Sequence, residues 1–139
     1  MDAYSPIQAE SAAALNGVGT EDTSDEGGGQ NVGHVNQGDS IRFDTVNFGD
    51  TPATTFEARV ASQVGDGVNG RVEIRIDSAD SPPVGTLPIT DTGGWQNWIT
   101  QATDITGVTG VHTVFLTFAA DRGDDLLNLN YVKFGRASS

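Results

Sequence analysis

A chain of 139 residues with 36% hydrophobic content can bury one core without disulfide or metal staples, and its lack of cysteine excludes thiol catalysis, iron–sulfur chemistry and thiolate zinc sites. Nineteen acidic residues against seven basic ones give a net charge of −12, and Lys133 is the only lysine, so neither nucleic acid nor an anionic membrane is an expected partner. No apolar run reaches the roughly 18 residues that a membrane-spanning helix needs.

The start, Met1-Asp2-Ala3-Tyr4, lacks the basic and apolar segments of a signal peptide. Residues 11–15 are the best local helix former, but Asn16-Gly17 stops them within about one turn. Residues 20–29 read as an acidic loop ended by glycines. A strand is expected at 40–43. In 55–60, Phe56, Ala58 and Val60 alternate with Thr55, Glu57 and Arg59, and in 72–77, Val72, Ile74 and Ile76 alternate with Glu73, Arg75 and Asp77, so each segment is a strand with one apolar and one wet face. The glycine-rich bridge 65–70 predicts a hairpin between these two. Further strands are expected at 84–89, 98–102, 111–119 and 129–134. Glycines and prolines punctuate these runs at the spacing of a β-sandwich, so the expectation is all-β, in one domain over residues 1–139.

Thr92-Gly93-Gly94-Trp95-Gln96-Asn97-Trp98 holds both tryptophans in a turn-rich segment. The glycine pair implies a tight turn that lifts Trp95 away from the sheet, where an indole can meet a sugar ring, whereas Trp98 heads an apolar strand and is expected in the core. Other signals do not survive a check of their context. Gly65-x-Gly67-x-x-Gly70 has the letters of a dinucleotide fingerprint, yet a strand rather than a helix follows it. Gly38-Asp39-Ser40 offers a serine, but His34 and His112 are the only histidines and no acid–histidine block lies downstream. The acidic residues from Asp22 to Glu26 lack the spacing of a calcium loop. His112, inside a strand pattern, is expected to be structural.

Seven blocks then line up in order: Ile7-Gln8-Ala9-Glu10; Gly29-Gln30-Asn31-Val32-Gly33-His34-Val35 with Gly38-Asp39; Phe56-Glu57-Ala58-Arg59-Val60-Ala61-Ser62; Val72-Glu73-Ile74-Arg75-Ile76-Asp77; the Trp95 segment; Gly110-Val111-His112-Thr113-Val114-Phe115-Leu116; and Asn128-Leu129-Asn130-Tyr131-Val132. Through them the chain resembles family 6 carbohydrate-binding modules over almost its whole length. The resemblance implies a jelly roll of two antiparallel sheets and a non-catalytic role beside a secreted enzyme that degrades polysaccharide. It implies a loop-end cleft with Trp95 as one aromatic wall, Asn128 at the base and Glu21 as an acceptor at the edge. A pyranose stacks its C–H face on indole while its hydroxyls need partners that accept and donate. His34 stands where the family usually has tyrosine for the second wall, and an imidazole brings less apolar area and a charge that changes near neutral pH. A second family site on one sheet face is built around a tryptophan where this chain has Ser40, so that site is doubtful, with Glu57, Glu73 and Arg75 left as a polar face.

The resemblance also implies one structural calcium near the chain ends, with Gln8, Glu10 and Asn130 as oxygen ligands. Asn130 replaces the family's aspartate, which removes a charge. The expected partner is thus a β-linked plant or algal polysaccharide of the xylan, β-glucan or agarose type. The chain is expected to be a monomeric module cut from a larger secreted protein, with Arg136-Ala137-Ser138-Ser139 opening a linker. A small glycosidase or esterase is the alternative reading.

Overall fold

The computed structural model describes residues 1–25, 29–64, 70–121 and 125–136. In chain order the strands are β1 (Ile7–Gln8), β2 (Ala14–Asn16), β3 (Gly19–Asp22), β4 (Gln30–Gly33), β5 (Ser40–Asn47), β6 (Ala53–Ser62), β7 (Arg71–Ile76), β8 (Gly85–Pro88), β9 (Gly94–Val108), β10 (Val111–Ala119) and β11 (Asn128–Gly135). They form two antiparallel sheets. One runs β3-β4-β11-β6-β9 with β1 added to β11, and the other runs β2-β5-β10-β7-β8. The expected all-β sandwich is therefore present.

The alternation read from the sequence sets which face turns inward. Phe56, Ala58 and Val60 of β6 are buried, as are Val72 and Ile74 of β7 and Val114, Leu116 and Phe118 of β10. Between the sheets, Phe134 meets Phe48 edge-on at 4.9 Å and Phe56 at 5.3 Å, with Phe43 and Phe118 also enclosed. Edge-on pairing of this kind adds about 1 kcal/mol beyond area burial. His112 is structural as expected. Its Nδ1 lies 2.8 Å from Asp77 Oδ2 and its Nε2 faces the Thr109 carbonyl at 2.6 Å, which ties the end of β7 to the start of β10.

Several expectations are corrected. Residues 11–15 form no α-helix, in keeping with the stop at Asn16-Gly17, but the segment holds an unexpected strand: a single 3-10 turn covers Ala9–Ser11, and Ala14–Asn16 is an edge strand on β5. Part of the acidic segment is also a strand, since Gly19–Asp22 pairs with Gln30–Gly33. The predicted hairpin between β6 and β7 does not exist as a strand pair, because β6 pairs with β11 and β9 while β7 pairs with β10 and β8. Alternation specifies an inward face, but not which neighbour supplies the hydrogen bonds. Of the bridge between them, residues 65–69 lie outside the described residues, as do 26–28 of the acidic segment and 137–139 of the tail.

Trp98 is not in the core. Arg59 of β6 faces outward opposite Thr100, and inward-facing Val60 is opposite Ile99, so the strand phase turns Trp98 to the outer surface. There its indole Nε1 donates to Gln96 Oε1 at 3.2 Å.

Candidate functional site

At one end of the sandwich, where β4 ends and β9 and β11 begin, Glu21, His34, Trp95, Asp125 and Asn128 line a cleft of about 200 Å³. All four residues expected in a sugar site are thus brought together, and Asp125 joins them. Asp91 and Gly93 shape the approach to Trp95: the Gly93 N–H donates to Asp91 Oδ1 at 2.6 Å, and Gly93 sits at φ +92°, where a side chain would be strained. Trp95 itself is half-buried and packs against the core. Its inner part is anchored on the core and its outer part lines the cleft.

The loops around the cleft are cross-tied. The Ser62 N–H donates to Thr92 Oγ1 at 2.8 Å, Thr92 N–H returns a bond to the Ser62 carbonyl at 2.8 Å, and Ser62 Oγ donates to the Leu126 carbonyl at 2.6 Å. Leu126 N–H in turn donates to the Val35 carbonyl at 2.7 Å. Four loops from distant parts of the chain therefore hold one another, so the cleft is preorganised before any ligand arrives.

Asn128 is 95% enclosed and donates an amide hydrogen to the Trp95 carbonyl at 2.6 Å, which fixes the side chain with Oδ1 available as an acceptor. Glu21 is held through a chain of amides: Asn31 Nδ2 donates to Glu21 Oε1 at 3.1 Å, Gln96 Nε2 donates to Asn31 Oδ1 at 3.2 Å, and Gln96 Oε1 accepts the Ser24 N–H at 2.7 Å. Gly33 makes room for both oxygens, since a Cβ there would lie 3.0 Å from Asn128 Oδ1 and 3.0 Å from Glu21 Oε1. His34 stands on the open side with 67% of its side chain exposed, Nδ1 3.8 Å from Asp125 Oδ2, and φ at +55°. Asn36 Nδ2 reaches both the His34 carbonyl and Asp125 Oδ1 at 3.1 Å and so couples the two. Asp125 was invisible to sequence reasoning because it shares a short run with Asp121 and Asp124, and nothing in that run marks one member.

The expected second face is only partly assembled. Glu73 and Arg75 are paired at 2.6 Å on the five-stranded sheet, whereas Glu57 belongs to β6 in the other sheet and does not share that face. Ser40 accepts a bond from Asn16 Nδ2 at 3.3 Å. At the far end of the sandwich, a second depression lies between Asp2, Tyr4, Asn47, Gly49 and Arg136. Its aromatic face is taken: the Arg136 guanidinium lies 3.8 Å over the Tyr4 ring. The Tyr4 N–H and the Ser5 hydroxyl hold the Asp2 carboxyl below the usual carboxylate range.

The residues expected to hold a cation divide. Glu10 Oε1 and Asn130 Oδ1 are buried without a hydrogen-bond partner, and the turn that carries Glu10 packs on β11, which carries Asn130. Buried oxygens of this kind cost free energy unless something satisfies them, and a hard cation takes oxygen donors only. Asn130 Nδ2 donates to Asp25 Oδ2 at 2.9 Å, and Asp25 in turn accepts two bonds from Arg59 at 3.0 and 3.1 Å. Gln8 is exposed, and no described contact brings its side chain to these oxygens. Among the described residues, no three His, Asp or Glu side chains are grouped to hold a metal.

The sequence profile of the Carbohydrate binding module (family 6) matches residues 8–136. An arabinoxylan arabinofuranohydrolase of Paenibacillus polymyxa is 39% identical over 137 residues, covering 96% of this chain but 21% of that enzyme, so the chain spans about a fifth of the relative's length. A family 6 module of Clostridium cellulolyticum, solved in complex with xylose, superposes with a TM-score of 0.89 at 40% identity over 98% of this chain and 100% of that one. A β-1,3-glucan-binding family 6 module of Bacillus halodurans also gives 0.89, at 38% identity over 98% of each chain. With the loop-end cleft and the two-sheet sandwich in place, these matches establish that the chain belongs to carbohydrate-binding module family 6.

Proposed function

We propose that this chain tethers an attached glycoside hydrolase to a neutral β-linked polysaccharide of the xylan or β-glucan type, raising the enzyme's local concentration without doing chemistry itself. The observation that carries this is the convergence of Trp95, His34, Asn128 and Glu21 on one preformed cleft. The similar modules with xylose or β-1,3-glucan in their descriptions support the sugar class. Trp95 supplies the stacking surface, Asn128 Oδ1 and Glu21 accept from ring hydroxyls, and His34 forms the smaller second wall. Incubating the purified chain with insoluble xylan and β-glucan tests this by retention and by release of reducing ends. Retention without release is expected. Sustained product release, lost on Glu21→Gln, would overturn the reading.

The same proposal covers the chain as a secreted, monomeric module of a larger protein, and a calcium ion held by Glu10 and Asn130 near the chain ends. The two unpartnered buried oxygens support the calcium reading. With one carboxylate and neutral oxygens, affinity belongs at the weak end for protein calcium sites, a Kd on the order of 10⁻⁴ M. A bound ion would supply charge to satisfy both oxygens and link the first segment to the last strand.

A further inference from the structure

We propose that the cleft selects neutral sugars and turns away uronate-bearing ones, with Asp125 and Glu21 setting that preference. This rests on the sugar-binding reading above. Two of the polar groups around Trp95 are carboxylates, Glu21 and Asp125. Asn128 donates one amide hydrogen to the Trp95 carbonyl and keeps Oδ1 as an acceptor, Glu21 is fixed by Asn31 at 3.1 Å, and Asp125 is fixed by Asn36 at 3.1 Å. The donors beside them are the His34 ring, the Trp95 indole N–H and the second hydrogen of the Asn128 amide. Among the described residues no arginine or lysine lines the cleft.

A neutral pyranose meets such a surface with hydroxyls, each of which has a hydrogen to donate. Oxidising its C6 alcohol to a carboxylate replaces a donor by a charged acceptor and sets it against two like charges. At about 4 Å each such pairing weakens binding roughly fivefold even at the dielectric constant of water. Asp125 carries the larger share of adjustable effect because its side chain is 47% exposed and faces the open side beside His34. Glu21, tied into the Asn31–Gln96 network, sits deeper and bears on the sugar ring itself.

The test is calorimetry at 20 mM salt with two matched pairs: cellotriose against cellotriose oxidised at its terminal C6, and xylotriose against xylotriose bearing one glucuronate. The uronate member of each pair should bind about tenfold more weakly or not at all, and the gap should narrow at 500 mM salt as screening shortens the reach of the two carboxylates. Asp125→Asn keeps an acceptor for Asn36 and removes the charge, so it should narrow the gap between the neutral and uronate members of each pair several-fold. Equal binding of both members of a pair that does bind, or an unchanged gap in Asp125→Asn and at high salt, overturns the inference and leaves the tethering function standing. Binding of neither pair, nor of xylan or β-glucan, overturns the function and the inference together.

Discussion

Asn128 and Asn130 stand two residues apart on β11 and use the same chemistry to opposite ends. Each donates its amide to a fixed acceptor, Asn128 to the Trp95 carbonyl at 2.6 Å and Asn130 to Asp25 at 2.9 Å, and each keeps Oδ1 unspent. In the cleft that oxygen opens on solvent, so water satisfies it until a sugar hydroxyl replaces the water at little net cost. In the Asp25 cluster it is buried beside the chain ends with Glu10 Oε1 also unpartnered, and no exchange with water relieves it. The bulge between Leu129 and Tyr131 separates the two environments within a single strand. On the proposed function, access to water is what suits Asn128 to reversible recognition and Asn130 to a resident cation.

The sharpest way to break this contrast is to remove Asp25. Its side chain is 5% exposed and it accepts from both Arg59 and Asn130, so Asp25→Ala strips two donors at once. A loss of about 3 kcal/mol, or roughly 10 °C in melting temperature, is expected, with sugar affinity nearly intact below the transition. Denaturant melts and calorimetry on one sample separate the two readouts. Calcium should act on the same side of the comparison: 10 mM calcium at a Kd of about 10⁻⁴ M adds close to 2.7 kcal/mol. Chelator should reverse that gain, and Glu10→Gln should abolish it. Identical melting curves with calcium and with chelator would remove the cation from the cluster. Trp95→Ala tests the other side. Loss of a central aromatic platform should cost about 2 kcal/mol of binding, near thirtyfold. Because Trp95 also packs on the core, a smaller loss of stability should accompany it.

What the sequence made legible follows the strength of its periodic signals. Segments with clean alternation, such as residues 55–60 and 72–77, became strands with the expected inward faces, because a half-buried sheet imposes a period of two. The N-terminal strands β1 to β4 were not legible. They are two to four residues long, and their pairing comes from neighbours elsewhere in the chain rather than from local propensity. Trp98 failed for a related reason: an apolar side chain was assigned inward, although the phase of β9 against β6 places it outside. Trp95, His34 and Asn128 were reached through the ordered motif blocks, and Glu21 through the cleft that the resemblance implies; both carry information on long-range assembly that local pattern lacks. Asp125 carried no such mark, and only the fold brings it beside His34.

The smallest expected effect is also the most discriminating, because it should move binding and stability in opposite directions. His34 occupies the left-handed region at φ +55°, which histidine visits more readily than most side chains, and its ring is largely exposed. His34→Tyr keeps the backbone constraint while widening the aromatic wall opposite Trp95. The added ring area should strengthen binding of neutral oligosaccharides two- to fivefold, below about 1 kcal/mol. The less tolerant backbone position should lower stability by a few tenths of a kcal/mol, or about a degree in melting temperature. The substitution also takes away the ring nitrogen that faces Asp125 at 3.8 Å. Without that nearby donor the carboxylate's repulsion of uronates should deepen, while affinity for neutral sugars rises. A His34→Tyr protein that weakens neutral and uronate sugars alike would show that the imidazole is a hydrogen-bonding contact rather than a wall, and would move the second side of the cleft from stacking to polar recognition.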